Sequence, residues 1–300
     1  MKKRYLLSLC MAVLLAVELQ AKVVLPALLC DNMVVQQNSV VCLWGKSEFN
    51  DGEKTTVRNV MAGEVWICAG QSNMDMPMSG YPGQPVNGAL EAVVEAKEYP
   101  VHVFMVNRKL SKQTEEQCEG KWEAPSAESV MHSSATAYFF AKNLQKSLQV
   151  PVGIIVSAWG GTSILSWMSE KSVNTLPSDV TKACVERDSR EQNLPGRLFN
   201  AMIHPLKNYT AKGFIWYQGE HNLQEHLTYD VMMKTMVDEW RNSWNDKKNE
   251  MPFYFVQIAP YRYFNNSMEI EIGSMCLGWN LSCQRIVYLG HKNRRNKTPG

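Results

Sequence analysis

Continuous apolar runs bounded by turn residues constrain this chain more than any other feature of its sequence. The first is Val65-Trp66-Ile67-Cys68-Ala69, and others cover 101–106, 152–158, 213–217 and 253–258. Runs of this length without polar alternation are typical of strands buried on both faces. A sheet of such strands needs helices on each side, so the pattern favours an α/β fold.

Helical spacing of apolar residues occurs between several of these runs. One such stripe consists of Ala137, Phe140, Ala141, Leu144 and Leu148, and another of Tyr229, Met232, Met233, Met236, Val237, Trp240 and Trp244. Both stripes predict amphipathic helices that face a core. Strands that alternate with helices predict a parallel sheet with helices on both faces.

The residues before the first buried run have a different pattern. Short apolar groups at 23–25, 33–35 and 40–44 alternate with Asn and Gln and predict brief strands. About forty residues build a poor core alone. Residues 22–62 are therefore predicted to be a short, truncated β segment that precedes the main domain.

The N-terminus has the pattern of a secretory signal. Lys2, Lys3 and Arg4 precede an apolar stretch at 5–17, and Ala21 supplies a small residue at the predicted cleavage point. The stretch is too short for a comfortable membrane span. Residues 1–21 are therefore predicted to be a signal peptide. We expect export to a periplasm or the cell exterior, without stable membrane insertion.

Composition excludes several functional classes. The net charge is +2 and the basic residues cluster at 292–297, which predicts a solvated tail and no nucleic-acid partner. Of eight cysteines, Cys10 lies in the signal, and no Cys-x-x-Cys pair occurs among the rest. No His-Glu-x-x-His or Gly-x-Gly-x-x-Gly motif is present either. These absences argue against zinc-finger, thioredoxin-like, His-Glu-x-x-His metal and dinucleotide-binding sites.

Three of the buried runs end in glycine-rich polar segments. They are Gly70-Gln71-Ser72-Asn73, Trp159-Gly160-Gly161-Thr162 and Gln218-Gly219-Glu220-His221-Asn222. Glycines in each could simply make tight turns. However, ligands bind at the carboxyl ends of the strands in open parallel sheets, and three such segments at one edge favour a functional site.

The residue types in these segments suit acyl transfer. Ser72, at a strand-to-helix turn, is the predicted nucleophile, and backbone N–H groups at Ser72 and Gly161 could face the oxyanion. A side-chain amide from Gln218 or Asn222 could add a donor. Glu220 could orient a base or hold substrate, and a histidine has a suitable pKa for the base. The candidates for substrate binding are Gln71, Asn73, Trp159 and Asn222.

Five blocks of this sequence resemble the sialate O-acetylesterase family. The first is residues 63–74, which contain Gly70-Gln71-Ser72-Asn73, and the second begins at Ser157-Ala158-Trp159-Gly160-Gly161-Thr162. The remaining blocks cover 198–206, 215–222 and 256–261. Together they extend from Gly63 to Phe264 in the order that the family shows.

The resemblance implies a flavodoxin-like α/β fold of the SGNH-hydrolase group, with a catalytic domain over 63–266. It implies removal of O-acetyl groups from sialic acids or related glycans by a serine esterase without a cofactor. The Gln-Ser-Asn serine is the family nucleophile, so the resemblance assigns that role to Ser72. By the same match, Gly161 and Gln218 become candidates for the oxyanion hole.

The chain departs from the family pattern in two places. The middle of the family's N-terminal β domain is missing, and no Asp in the chain has a His three residues later, as the family's catalytic Asp-x-x-His requires. His291 lies late enough, but Tyr288 stands where the Asp of the motif should be. His204 belongs to a matched block and His221 neighbours Glu220, and both facts disfavour these histidines as substitutes. Residues 267–300 are therefore predicted to be an atypical tail and the esterase to be impaired.

Two alternative functions stay open from the sequence. The matched blocks concern the chemistry at the acetyl ester and not recognition of the sugar. An esterase that acts on acetylated plant polysaccharide such as acetylxylan therefore fits the sequence equally well. A catalytically inactive glycan-binding protein that keeps the pocket fits the missing motif.

Overall fold

The computed structural model describes residues 23–47, 54–258 and 286–289. Its strands are β1 Val23–Val24, β2 Val34–Gln36, β3 Lys46–Ser47, β4 Met61–Gly70, β5 Val101–Met105, β6 Trp122–Glu123, β7 Val152–Ala158, β8 Gly213–Tyr217, β9 Phe253–Val256 and β10 Ile286–Leu289. Its α-helices are α1 Ser72–Asp75, α2 Ala89–Val94, α3 Ala127–His132, α4 Ala135–Leu148, α5 Glu170–Val173, α6 Ser178–Arg187 and α7 Tyr229–Ser243. A π-helical turn covers Phe199–Ile203, and short 3-10 turns cover Ala96–Glu98, Ile164–Trp167, Glu191–Asn193, His204–Leu206 and Glu220–Glu225.

The main sheet has the spatial order β10-β9-β8-β4-β7-β5-β6 among the described strands. All neighbours from β10 to β5 are parallel, and only the edge pair of β5 and β6 is antiparallel. The chain passes from β4 to one side of the sheet and later returns past it to β8. The carboxyl ends of β7, β4 and β8 therefore flank a switch point, where ligands bind in open α/β sheets.

Two layers of side chains confirm that the sheet is covered on both faces. Along β4, Val65, Ile67 and Ala69 join one core cluster, which includes α7, while Trp66 and Cys68 join the other, which includes α4. The helix stripes predicted from sequence supply buried residues to these layers, although Leu148 at the end of α4 is half exposed. The α/β class and the helices on both faces are thus as predicted.

The topology differs in one respect from that of flavodoxin. Counted from β4, the third parallel strand in chain order, β7, lies between the second, β5, and the first, β4. In flavodoxin the first strand lies between the second and the third. The consequence is that the polar segments after β7 and β8 flank the segment after β4 directly.

The segment that precedes the main domain is part of the same sheet. β2 pairs in parallel with the start of β4, where Val34 is the register partner of Met61. Trp122 Nε1 donates to Leu28 O at 3.0 Å, and Tyr209 Oη donates to Val34 O at 2.8 Å. These contacts bury Leu28 and Val34 in the main core. The domain boundary expected between residues 62 and 63 stays a prediction, although β4 runs continuously across it.

One expectation about short strands was wrong. Residues 40–44 form no strand, and Val40 and Leu43 are 86% and 71% exposed. In the predicted tail, the short apolar run Ile286–Leu289 pairs in parallel with β9 and extends the sheet.

The predicted signal peptide, residues 1–21, and most of the predicted tail lie outside the described residues. Within the described part of the chain, no helix combines the length and the apolar character that crossing a bilayer requires.

Replacement of Gly70 tests the turn that ends β4. Gly70 has φ +148°, and a Cβ built on it would lie 2.1 Å from the main-chain oxygen of Tyr217. We expect Gly70→Ala to lower the free energy of unfolding by about 3 kcal/mol or more, because the backbone of a neighbouring strand must move. Chemical denaturation would measure the change.

Gly83→Ala is the matched control for this prediction. Gly83 also has a positive φ, +74°, but nothing lies within 4 Å of the position that a Cβ would occupy there. Only the conformational strain remains at this residue, which costs about 1 kcal/mol. Equal destabilisation by the two substitutions would contradict the claim that close approach of β8 requires Gly70.

Candidate active site

The structure brings the three polar segments together at one edge of the sheet, as predicted. Gln71 N donates to Tyr217 O at 3.0 Å, and Trp159 N donates to Gly70 O at 3.1 Å. These two main-chain bonds join the ends of β8 and β7 to the turn after β4. Ser72 begins α1 directly after that turn, and it is half-buried.

Gln71 positions the loop that follows β8. Its side chain is buried, and Oε1 accepts hydrogen bonds from Gly219 N at 3.4 Å and His221 N at 3.2 Å. The side-chain oxygen of Gln71 is thus occupied by hydrogen bonds from this loop. The substrate-binding role of Gln71 stays a prediction.

The segment after β7 lies directly against Ser72. A Cβ built on Gly160 would be 3.5 Å from Ser72 Cβ, and Gly160 N donates to Asp75 Oδ2 at 3.2 Å. Gly161 adopts φ +67° with open space beside it. Among the described residues, the N–H groups of Ser72 and Gly161 have no acceptor. They are therefore two available main-chain donors, one at the serine itself and one in the segment that lies against it.

Gln218 is part of a buried hydrogen-bond network. Its Nε2 donates to Thr162 O at 2.9 Å and to Asn222 Oδ1 at 2.8 Å, while Oε1 accepts from Tyr229 Oη at 2.5 Å. Both amide hydrogens therefore have acceptors, and the side chain is only 3% exposed. The predicted oxyanion role of Gln218 would require one of these bonds to open.

Asn222 belongs to the same network and is fully buried. Its Oδ1 also accepts from Ile164 N at 3.0 Å, and its Nδ2 donates to Glu225 Oε2 at 3.1 Å. Its amide thus fastens the loop after β8 to the turn at Ile164–Trp167. The predicted role in substrate binding has no free polar atom to support it in this geometry.

Glu220 contacts Asn73, the residue that follows Ser72. Asn73 Nδ2 donates to Glu220 Oε1 at 2.5 Å, whereas the buried Oε2 has no partner among the described residues. Burial raises the pKa of Glu220, and hydrogen bonds from its own main chain and from Asn73 oppose the shift only in part. A carboxyl group in this state can accept a hydrogen bond or a proton from a group placed near Ser72.

His221 follows Glu220 and faces Asp188. The distance from His221 Nε2 to Asp188 Oδ2 is 3.4 Å, but the nitrogen is not aligned for a hydrogen bond. Burial, together with the charge of Arg187, lowers the pKa of His221. Hydrogen bonds from Arg190 lower the pKa of Asp188 to about 2. The pair is therefore a neutral imidazole beside an ionised carboxylate at neutral pH.

The other described histidines serve the main chain. Each has Nδ1 at 2.6–3.0 Å from a carbonyl oxygen: His102, His132, His204 and His226. His204 also contacts Lys207 Nζ through Nε2 at 2.7 Å, which agrees with a structural role. No described histidine hydrogen-bonds to Ser72. His291 lies outside the described residues.

Asp75 and Arg108 belong to the site but were missed from the sequence. Asp75 Oδ2 accepts from Gly160 N and from Arg108, and the Arg108 guanidinium lies 5.6 Å from the ring centroid of Trp159. The three-residue spacing from Ser72 to Asp75 could have identified Asp75 as sharing a helical face. Arg108 had no such signal, because it follows a different strand.

Neither a metal site nor the large surface cavity coincides with Ser72. Among the described residues, no group of His, Cys, Asp or Glu could hold a metal ion. A cavity of about 450 Å³ lies at the carboxyl end of β5 and is lined by Met105, Asn107, Gly120, Lys121, Glu123, Glu128 and His132. None of the predicted site residues lines this cavity.

Removal of the Tyr229 hydroxyl tests the network around Gln218. Tyr229 Oη bonds to Gln218 Oε1 and accepts from Trp216 Nε1 at 3.1 Å. Tyr229→Phe leaves both partners buried without this bond, and we expect a loss of about 1–3 kcal/mol in the free energy of unfolding. Denaturant titration would measure it.

Tyr138→Phe is the matched control for Tyr229→Phe. The Tyr138 hydroxyl is buried without a hydrogen-bond partner among the described residues. Its removal should be neutral or stabilising, because no partner is lost. A loss for Tyr138→Phe as large as that for Tyr229→Phe would contradict the network.

Glu220→Gln tests the burial of the carboxyl group. Because the pKa of Glu220 is raised above its ordinary value of 4.5, the stability that this group contributes is present below that pH and is lost as the pH rises through the folded-state pKa. We therefore expect Glu220→Gln to gain stability relative to the wild type between pH 4 and pH 7. The gain should exceed the ~0.5 kcal/mol typical of surface substitutions.

The exposed Glu186 provides the control, since its side chain is 66% exposed on α6. Glu186→Gln should change the free energy of unfolding by less than about 0.5 kcal/mol at both pH values. The difference in the free energy of unfolding between the wild type and Glu220→Gln should change from pH 4 to pH 7. An unchanged difference would refute a raised pKa for Glu220.

A known protein family matches most of this chain. The family model described as "Carbohydrate esterase, sialic acid-specific acetylesterase" matches residues 62–283. The match extends past the predicted end of the catalytic domain at residue 266 and into the predicted tail, but it stops before His291.

Curated relatives and one solved structure agree with that match. The chain is 32% identical over 254 residues to mouse sialate O-acetylesterase, covering 70% of this chain and 46% of the relative. It is 31% identical to the human protein of that name, covering 68% and 41%. Thus the chain spans less than half the length of these relatives. A crystal structure described as a novel carbohydrate acetylesterase from Xanthomonas citri superposes with a TM-score of 0.77 at 26% identity, covering 90% of this chain and 68% of that one.

Proposed function

Because this chain belongs to the family of sialic acid-specific carbohydrate acetylesterases, we propose that it hydrolyses O-acetyl esters of sialic acids or related glycans. The observation that carries the proposal is the position of Ser72 at the switch point of the sheet, beside two main-chain N–H groups without acceptors among the described residues. Hydrolysis by a serine esterase needs this combination of a nucleophile and donors for the developing oxyanion.

The proposed reaction proceeds in two acyl transfers. Ser72 Oγ attacks the acetyl carbonyl, and the oxyanion of the tetrahedral intermediate accepts from the N–H groups of Ser72 and Gly161. Collapse of the intermediate releases the sugar hydroxyl and leaves an acetyl-serine, which water then hydrolyses to acetate. A base must take the serine proton and return it to the leaving oxygen.

We propose a catalytic or substrate-holding role for Glu220. Its Oε2 has no partner among the described residues and its pKa is raised, which supports a role in holding a base or a substrate hydroxyl near Ser72. Trp159 and Asn73 flank the serine in sequence or space and are proposed to contact the sugar. We further propose that the chain is exported, on the pattern of residues 1–21, which lie outside the described residues.

Ser72→Ala tests the nucleophile directly. Loss of the hydroxyl removes the acyl-enzyme route, so we expect acetate release from 4-nitrophenyl acetate and from O-acetylated sialic acid to fall by about 10³-fold or more. Ser147→Ala is the control, because Ser147 is exposed on α4 and its hydroxyl bonds only to Asn143 O. That variant should retain the wild-type rate.

The same assay separates the remaining functions. Equal rates for the wild type and Ser72→Ala would end the esterase proposal, and retained sugar binding would then indicate a glycan-binding protein. Faster Ser72-dependent acetate release from acetylated xylan than from O-acetylated sialic acid would assign the esterase to plant polysaccharide.

A further inference from the structure

Arg108 is a clamped but partly exposed guanidinium beside the proposed nucleophile. One of its terminal nitrogens donates to Asp75 Oδ2, and its Cζ lies over the Trp159 ring, 5.6 Å from the centroid. Nevertheless, 49% of the side chain is exposed. Arg108 is therefore held in one orientation without being enclosed.

The Arg108 guanidinium has N–H donors that are not used by the described residues. It carries five N–H groups, and the hydrogen bond to Asp75 is the one that the described residues provide. Asp75 Oδ2 is shared, because it also accepts from Gly160 N at 3.2 Å. A guanidinium held by one carboxylate and placed over an aromatic ring loses little freedom when its remaining N–H groups bind a second anion.

The distance to Ser72 is short enough for one ligand to reach both residues. The position of a Cβ on Gly160 would be 3.5 Å from Ser72 Cβ and 3.6 Å from Asp75 Oδ2, the atom that Arg108 contacts. Ser72 and the Asp75 oxygen that Arg108 contacts thus both lie beside Gly160. A small sugar could place an ester at the serine and another group at the guanidinium.

The charged and titratable groups near Arg108 leave its positive charge available for an anion. Lys109, the next residue, pairs with Glu115 at 3.4 Å. Burial and the charge of Asp75 raise the pKa of Tyr81, so its phenol stays protonated and neutral beside the pair. Asp75 is the carboxylate in contact with Arg108, and one monodentate partner leaves the fork of the guanidinium available.

We propose that Arg108 binds the carboxylate of an acidic sugar whose acetyl ester lies at Ser72. This inference rests on the proposed function for the ester, but carboxylate binding itself requires no catalysis. Arg is suited to such a role because its planar fork matches a carboxylate in a bidentate pair. Neutral acetylated sugars would lack this contact, so Arg108 would discriminate between substrate classes.

Binding of deacetylated sugars to the full chain tests the proposal without chemistry. Isothermal titration would compare N-acetylneuraminic acid and glucuronic acid with their methyl esters, which keep the sugar but lose the charge. We expect the wild type to bind at least one acid about tenfold or more tightly than its ester, as for a charge-assisted hydrogen bond. Discrimination in only one sugar supports the proposal and identifies the acid.

Three variants separate recognition from structural support. Arg108→Gln should abolish the preference for the acid while binding of the methyl ester stays within about twofold, and Arg108→Lys should retain part of it because a point charge lacks the fork. Lys109→Gln removes a neighbouring charge and should leave the preference intact. Thermal unfolding of each variant checks that it is folded.

Several results would overturn the proposal. They are equal binding of acid and ester by the wild type, no binding of either acid at millimolar concentration, or an equal loss for acid and ester in Arg108→Gln. The last would mean that Arg108 only supports the loop through Asp75. If Ser72-dependent acetate release fails while the acid preference persists, the esterase proposal falls and the carboxylate site stands.

Discussion

The joining of three strand ends around Gly70 is the constraint on which the site depends. Tyr217 O lies so close to Gly70 that a Cβ there would be 2.1 Å away, and the adjacent main chain bonds to both neighbouring strands. Because β7 and β8 flank β4, their carboxyl ends place Gly160 and Gly219 on either side of the serine turn. Any shift of one strand would separate groups that must meet within a few ångströms.

The side-chain amides of Gln218 and Asn222 are buried near this turn and hold its loops in place. Gln218 and Asn222 lie in a conspicuous polar segment, yet their side chains bond to each other and to neighbouring loops. Buried polar groups are costly unless they are paired, so a complete network fixes one arrangement of the loops. The available donors are instead main-chain groups at Ser72 and Gly161, whose directions the loops determine.

Two carboxyl groups near Ser72 have different surroundings. Glu220 is buried, and its Oε2 has no partner among the described residues, which favours the neutral form of the carboxyl group. Asp75 accepts from Arg108 and from Gly160 N, and the guanidinium remains partly exposed. In the proposed site this difference matters, because a cation beside Glu220 would stabilise its ionised form.

The sequence by itself determined the buried strands, the two main helices and the segments that hold Ser72, Gly161 and Glu220. It did so because strand burial, helical period and turn glycines leave local patterns. Only the tertiary structure decided that β7 lies beside β4, that Gln218 faces Tyr229, and that Arg108 reaches Asp75. Strand order and side-chain partners depend on contacts between segments that are distant in sequence, such as those that hold Arg108 and Asp75. Contacts of this kind leave no local pattern in the sequence.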